Sequence, residues 1–142
     1  IRNELATHNK HLAAAAKEAG VETPLEYAIF QDHGYKGLYG GLGAKAIHAR
    51  KGLKKSHKIL DHMGSTELAA NLFRATQTEE KLKRDQVREK TQANQTHLEV
   101  GKKVRQTIKE LGGTMPEALP TPESSIKQIE SAKKKLEKNK ES

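Results

Sequence analysis

Six basic side chains, Lys45, Arg50, Lys51, Lys54, Lys55 and Lys58, fall within fourteen residues, and no acidic residue lies between 44 and 60. His48 and His57 sit among them. Charge of that density suits phosphate. Each phosphate neutralised releases condensed counterions, so binding of this kind weakens steeply with salt. On helical geometry Lys51, Lys54, Lys55 and Lys58 share one face, and Ile47, Leu53, Ile59 and Leu60 are left to pack. Just ahead of the segment, Tyr35 and Tyr39 could stack on unpaired bases, which makes single-stranded DNA the favoured polyanion. An acidic protein surface fits the same charge. The competing reading is a solvated helix face with both tyrosines in the core. The net charge of +8 is focused here, because residues 34–63 carry seven basic side chains and one acidic one.

Other chemistry finds less support. Gly41-Leu42-Gly43-Ala44-Lys45-Ala46 fits G-x-G-x-x-A, but the preceding Gly37-Leu38-Tyr39-Gly40 makes no buried strand, so a dinucleotide site is not expected. The start of a helix at Ala44 could still hold one backbone phosphate on its free amides. His8 and His11 are spaced i, i+3, and His57, Asp61 and His62 cluster, without H-E-x-x-H or any second paired ligand set. They read as surface or capping histidines, and no metal is expected. The carboxylates are scattered as partners of Lys and Arg rather than gathered for magnesium. No catalytic residue and no cofactor is assigned.

The elements that must position these groups are helices. Residues 1–19 show Leu5, Leu12, Ala16 and Ala19 on one face, with Gly20 as the stop. Thr23-Pro24 with Glu26 starts a second helix, whose apolar side is Leu25, Ala28 and Ile29 and whose end is expected near His33-Gly34. Five glycines in 34–43 predict a loop. A third helix runs from Ala44 to about Lys51, and Gly52 interrupts it before a continuation over Leu53 to Met63. Gly64 reads as a left-handed stop and Ser65 as the next N-cap. Behind that cap Leu68, Leu72, Ala75 and Leu82 form an apolar stripe, with Glu67, Asn71, Arg74, Gln77 and Thr78 on other faces. A turn falls within 83–96. A further helix spans roughly Thr96 to Leu111, with Val100, Val104, Ile108 and Leu111 in register and Gly112 as its stop. Three prolines in 114–125 predict an extended connector. Ile126, Ile129 and Leu136 then mark a charged C-terminal helix with a frayed tail.

The class is therefore all-α, with about five or six helices. The domain plan is a helical domain over 1–113, the Pro-rich connector over 114–125 and the charged helix over 126–142. Only 34% of the residues are hydrophobic and 31% are charged, so a somewhat elongated molecule is expected, with a core that a homodimer could complete. The absence of cysteine removes disulfide and thiol chemistry and agrees with a cytoplasmic setting. No apolar run is long enough to span a membrane.

Four runs together carry a resemblance: GYKGLYGG at 34–41, IHARKGLKK at 47–55, ILDHMGSTELAANLFRATQTEEKL at 59–82 and GKKVRQTIKELGGTMPEALPTP at 101–122. The chain resembles the C-terminal half of the bacterial DNA-damage-inducible protein D family. Members of that family carry an N-terminal domain similar to the Bro-N domain of phage antirepressors. The present sequence opens at Ile1 without an initiator Met and reads as a fragment or cleaved product lacking it. The resemblance implies a bacterial SOS-response protein working at the nucleoid, around DNA and the RecA filament, and implies no enzyme. The alternative it leaves is a structural or dimerisation module, with DNA contact or regulation residing in the N-terminal region.

Overall fold

The computed structural model describes residues 1–122. The expected C-terminal helix over 126–142 lies outside the described residues. Five α-helices are present among the described residues, and no strand: α1 (Arg2–Glu18), α2 (Pro24–Leu38), α3 (Ala44–Arg50), α4 (Ser65–Arg84) and α5 (Lys90–Glu110). The all-α class follows the sequence pattern.

Local chemistry sets several boundaries. At the start of α2, Thr23 Oγ1 accepts from the Glu26 amide at 3.1 Å and Glu26 Oε1 accepts from the Thr23 amide at 3.0 Å, a capping box. Lys90 donates to Glu26 Oε2 at 2.7 Å from the start of α5, and with those backbone donors it holds the Glu26 carboxyl down to about 2. Glu89 caps α5 by accepting from the Thr91 and Gln92 amides, each at 3.0 Å. Gly20 and Gly112 close α1 and α5 as expected, with φ of 100° and 73°. At the end of α4 the same left-handed position is held by Gln86, φ 51°.

Several local expectations are corrected. Gly64 is extended, with φ −76°, and is itself the N-cap, so Ser65 is the first helical residue. What precedes it is a 3₁₀ turn, Ile59–His62, and not a helix that needs a left-handed stop. The helix expected over Leu53 to Met63 is accordingly absent, and the basic residues of 51–58 share no helix face. Next, α2 runs past His33-Gly34 to Leu38. Its glycines serve packing: Gly34 makes room for the His97 imidazole, and Gly37 faces Gly101 of α5, where the two backbones come into direct contact. The buried side of α2 is therefore Phe30, Gly34, Gly37 and Leu38, whereas Leu25 is 72% exposed and Ile29 43%. The last helix begins at Lys90 rather than Thr96, and it buries Ala93, Thr96, His97, Gly101 and Val104 while Leu111 is 80% exposed.

In the assembled bundle α2 lies along α5, α1 lies along α4, and α4 packs on α5. Leu5, Leu12, Ala16, Phe30, Met63, Leu68 and Leu82 belong to the larger core cluster. A second cluster joins Leu38, Tyr39, Ile47 and Val104.

Of the polar residues placed off the apolar stripe of α4, all but Gln77 are buried. Glu67, Asn71, Arg74 and Thr78 recur at helical spacing and all lie inside. Their contacts form one chain. Lys51 Nζ meets Glu67 Oε1 at 2.8 Å. The Tyr39 hydroxyl donates to Glu67 Oε2, and Asn71 Nδ2 donates to the Tyr39 hydroxyl at 3.0 Å. Arg74 Nη2 donates to Asn71 Oδ1 at 3.2 Å and Nη1 reaches His97 Nε2 at 2.6 Å. Burial pushes the Tyr39 phenol up, so it stays protonated and donates.

His97 ends the chain and fixes its own tautomer. Nε2 faces a guanidinium donor and must accept, so Nδ1 carries the proton and donates to the Phe30 carbonyl at 2.7 Å. Burial, and then the Arg74 charge, push the imidazole well below its ordinary value. The unfolded chain binds this proton near pH 6.5 and the folded one does not. Stability carried by neutral His97 is thus complete above about pH 6.5 and is lost as the pH falls below it, by up to about 1.4 kcal/mol per pH unit. Urea midpoints measured between pH 7.5 and pH 5 should fall, and His97→Gln should flatten that slope from a lower starting stability. An unchanged slope in the variant would contradict the assignment.

Candidate nucleic-acid interface

The basic segment forms a short helix followed by a stapled loop. α3 ends at Arg50, and Gly52, φ 66°, turns the chain out of it. From inside α3, His48 Nε2 lies 3.0 Å from the Lys54 carbonyl and 3.1 Å from the His57 carbonyl, so one N–H bridges both. The His57 amide also donates to the Lys54 carbonyl at 2.9 Å. These bonds close 54–57 into a tight turn and leave Lys54, Lys55 and Lys58 exposed at its rim.

This turn and α3 border a shallow groove of about 480 Å³ lined by Tyr35, Lys45, His48, His57, Lys58 and Ile59. Lys45 and Lys58 are both exposed. Tyr35 is half-buried, with the Arg74 guanidinium carbon 5.0 Å from its ring centroid. Its ring is held from below by the core while it lines the groove.

Two of the predicted site residues leave the surface. Tyr39 is 1% exposed and is committed to Glu67 and Asn71, so it cannot stack on a base. Its place in the second core cluster is decided by α2 extending to Leu38, which turns the ring inward. Lys51 has a side chain only 7% exposed. Besides Glu67, its ammonium donates to the His62 carbonyl at 3.1 Å and to Thr121 Oγ1 at 3.4 Å. A buried carboxylate across the fold has captured it, so replacing it is expected to disturb folding. Arg50 stays at the surface but donates to the Glu117 carbonyl at 2.7 Å.

That contact revises the connector. Within 114–122 the chain forms a 3₁₀ turn, Pro116–Ala118, and folds back instead of extending. Glu117 takes both Arg105 guanidinium nitrogens at 2.8 Å, a bidentate pair. The phosphate site suggested at the start of α3 is also filled from within, because Asp32 Oδ1 accepts from the Ala44 amide at 2.9 Å.

The fold sets the neighbours of the two histidine clusters. The His57 and His62 rings stack 4.8 Å apart, but Asp61 turns away to Arg2 at 2.6 Å. His8 and His11 acquire a neighbour that no sequence spacing indicates, Glu79 of α4. No helix among the described residues is long and apolar enough to cross a membrane.

Residues 1–129 match the family model described as the DinD C-terminal domain. The chain belongs to this family. The DNA damage-inducible protein D of Escherichia coli (strain K12) is 72% identical over 138 residues, which cover 97% of this chain and 50% of the relative. The chain thus spans about half the length of the curated relative it matches. No solved structure matches it. The family's description names neither a ligand nor a reaction, so the function is argued from the groove and its charge.

Proposed function

We propose that this chain is a non-enzymatic module of a DNA-damage-response protein, which modulates recombination by contacting DNA, single-stranded in preference, or the RecA–DNA filament. The family and the name of its relative support the damage-response setting. The observation that carries the contact is the groove beside α3. Lys45 and Lys58 line it, Lys54 and Lys55 stand exposed on the adjoining turn, and no acidic residue lies between 44 and 60. Phosphates meet point charges, and Tyr35 offers one aromatic surface to a base. The alternative, a structural or dimerisation module with DNA contact elsewhere in the parent protein, draws on exposed Phe73 and Leu111.

Fluorescence anisotropy with a labelled single strand, across a salt series, separates the two. Replacing Lys45, Lys54, Lys55 and Lys58 with Gln should weaken binding and lower the salt slope by ~0.7 per lost contact on a single strand, or ~0.9 on a duplex. The loss should be nearly independent of base sequence. Lys51 is left in place, and circular dichroism checks the fold. If the filament protein is the direct partner, the same variant loses filament binding and keeps its affinity for free DNA. Wild-type affinity for both at every salt concentration would remove the reading.

A further inference from the structure

His8 and His11 lie one turn apart on α1, and Glu79 stands beside them on α4 because these two helices pack along one another. One potential ligand atom from each lies within 4.8 Å of the others, the one such trio of metal-binding side chains among the described residues. The two imidazole rings meet edge-on, with centroids 5.3 Å apart. His8 Nδ1 is shielded from solvent and has no hydrogen-bond partner. A shielded ring nitrogen without a partner is costly, and a bound cation would relieve it if that nitrogen is the ligating one. Glu79 accepts from Lys83 through Oε2 at 2.9 Å, a surface pair that leaves Oε1 available.

We propose that His8, His11 and Glu79 form a binding site for a divalent transition-metal ion of the Zn²⁺ class, clamping α1 to α4. Two imidazoles and one carboxylate select zinc and its neighbours over Mg²⁺ or Ca²⁺, which take all-oxygen shells. At tetrahedral zinc with bonds of about 2.0–2.2 Å, donor atoms stand roughly 3.3–3.6 Å apart. Side-chain rotation on α1 and α4 has to supply only that closing distance. Three protein ligands leave the fourth position for water. The ion binds the folded chain and not the unfolded one, since residues 8 and 79 come together only in the packed bundle, so it stabilises the fold by mass action.

Isothermal titration calorimetry of the full chain with ZnCl₂ tests this, together with thermal melts with and without the metal. Saturation at one Zn²⁺ per chain is expected, with a higher Tm in its presence. Co²⁺ should give the visible absorption of a tetrahedral site. His11→Ala alters an exposed side chain and should leave the metal-free Tm near wild type. It and Glu79→Gln should each weaken Zn²⁺ binding by more than the roughly 10–100-fold that loss of a supporting outer partner costs. Binding that survives both substitutions and is abolished by His57→Asn would place the metal at the His57–His62 pair and overturn the proposal. So would the absence of any Tm rise in the wild-type chain.

Discussion

Replacing Gly101 with alanine is expected to cost about 3 kcal/mol or more of folding stability, the upper part of the range for overpacking a tight interface. A Cβ at this position would lie 2.7 Å from the Gly34 carbonyl oxygen, 2.9 Å from the Leu38 amide nitrogen and 3.1 Å from the Gly37 carbonyl carbon. All three are backbone atoms of α2, and no rotamer change can move them. The two helices would have to part along the most extensive contact in the bundle. Gly37→Ala should behave alike, because its Cβ would fall 2.4 Å from the Leu98 carbonyl oxygen. Helix propensity pulls the other way, since alanine inside a helix gains ~0.5–1 kcal/mol over glycine, so the clash has to exceed that before any loss appears. Gly64→Ser is the control. A Cβ there would have no neighbour within 4 Å and the backbone is extended, so the change should stay within ~0.5 kcal/mol. Urea unfolding of the three variants decides the matter. Wild-type stability in Gly101→Ala would contradict the close approach of α2 to α5.

Removing Lys51 is the second change with a large expected effect. Lys51→Ala should cost ~3–5 kcal/mol, because it strands the Glu67 carboxylate, 1% exposed, with its cationic partner gone. The Tyr39 hydroxyl remains as a donor but carries no charge. Glu67→Gln should fall in the same range, since it leaves the Lys51 ammonium, 7% exposed, without a counter-charge. Lys55→Gln, at the exposed rim of the turn, should change stability by no more than ~0.5 kcal/mol. Replacing both partners with apolar groups, Lys51→Met with Glu67→Leu, should be milder than either single change, as the desolvation of two charges is then avoided. Chemical denaturation of these variants separates a buried ion pair from a surface one. Equal stability of Lys51→Ala and Lys55→Gln would show the pair to be surface-like. The result also bears on binding assays, because a Lys51 variant that binds DNA poorly would report a damaged fold and not a lost phosphate contact.

On α4, polarity is a poor guide to exposure. Leu68, Ala75 and Leu82 are buried, as their spacing requires. Glu67, Asn71, Arg74 and Thr78 have the same periodicity, yet periodicity in polar residues ordinarily marks a solvated face. Thr78 bonds the Arg74 carbonyl of its own helix, but Glu67, Asn71 and Arg74 can be buried only because Lys51, Tyr39 and His97 arrive from three other segments with complementary groups. None of those pairings has a local signature. The glycines of 34–43 misled for a related reason. Gly40 does close a helix, with φ 65°, but Gly34 and Gly37 lie within one, and what they serve is a helix more than sixty residues away.

The all-α class, the N-cap at Thr23, the closures at Gly20 and Gly112, and the concentration of positive charge between 45 and 58 were all legible in the chain before it folded. Each of these depends on residues within a few positions of one another, where backbone geometry and Coulomb repulsion act without regard to the fold. Which of those charges face water was settled by packing. It drew Lys51 inward to Glu67, left Lys45 and Lys58 on a groove with Tyr35, and sent Tyr39 into the core. It also set Glu79 beside His8 and His11. The reason is common to all: burial rewards a polar group only when its partner is already in place, and that partner is supplied by chain packing, which local sequence does not encode.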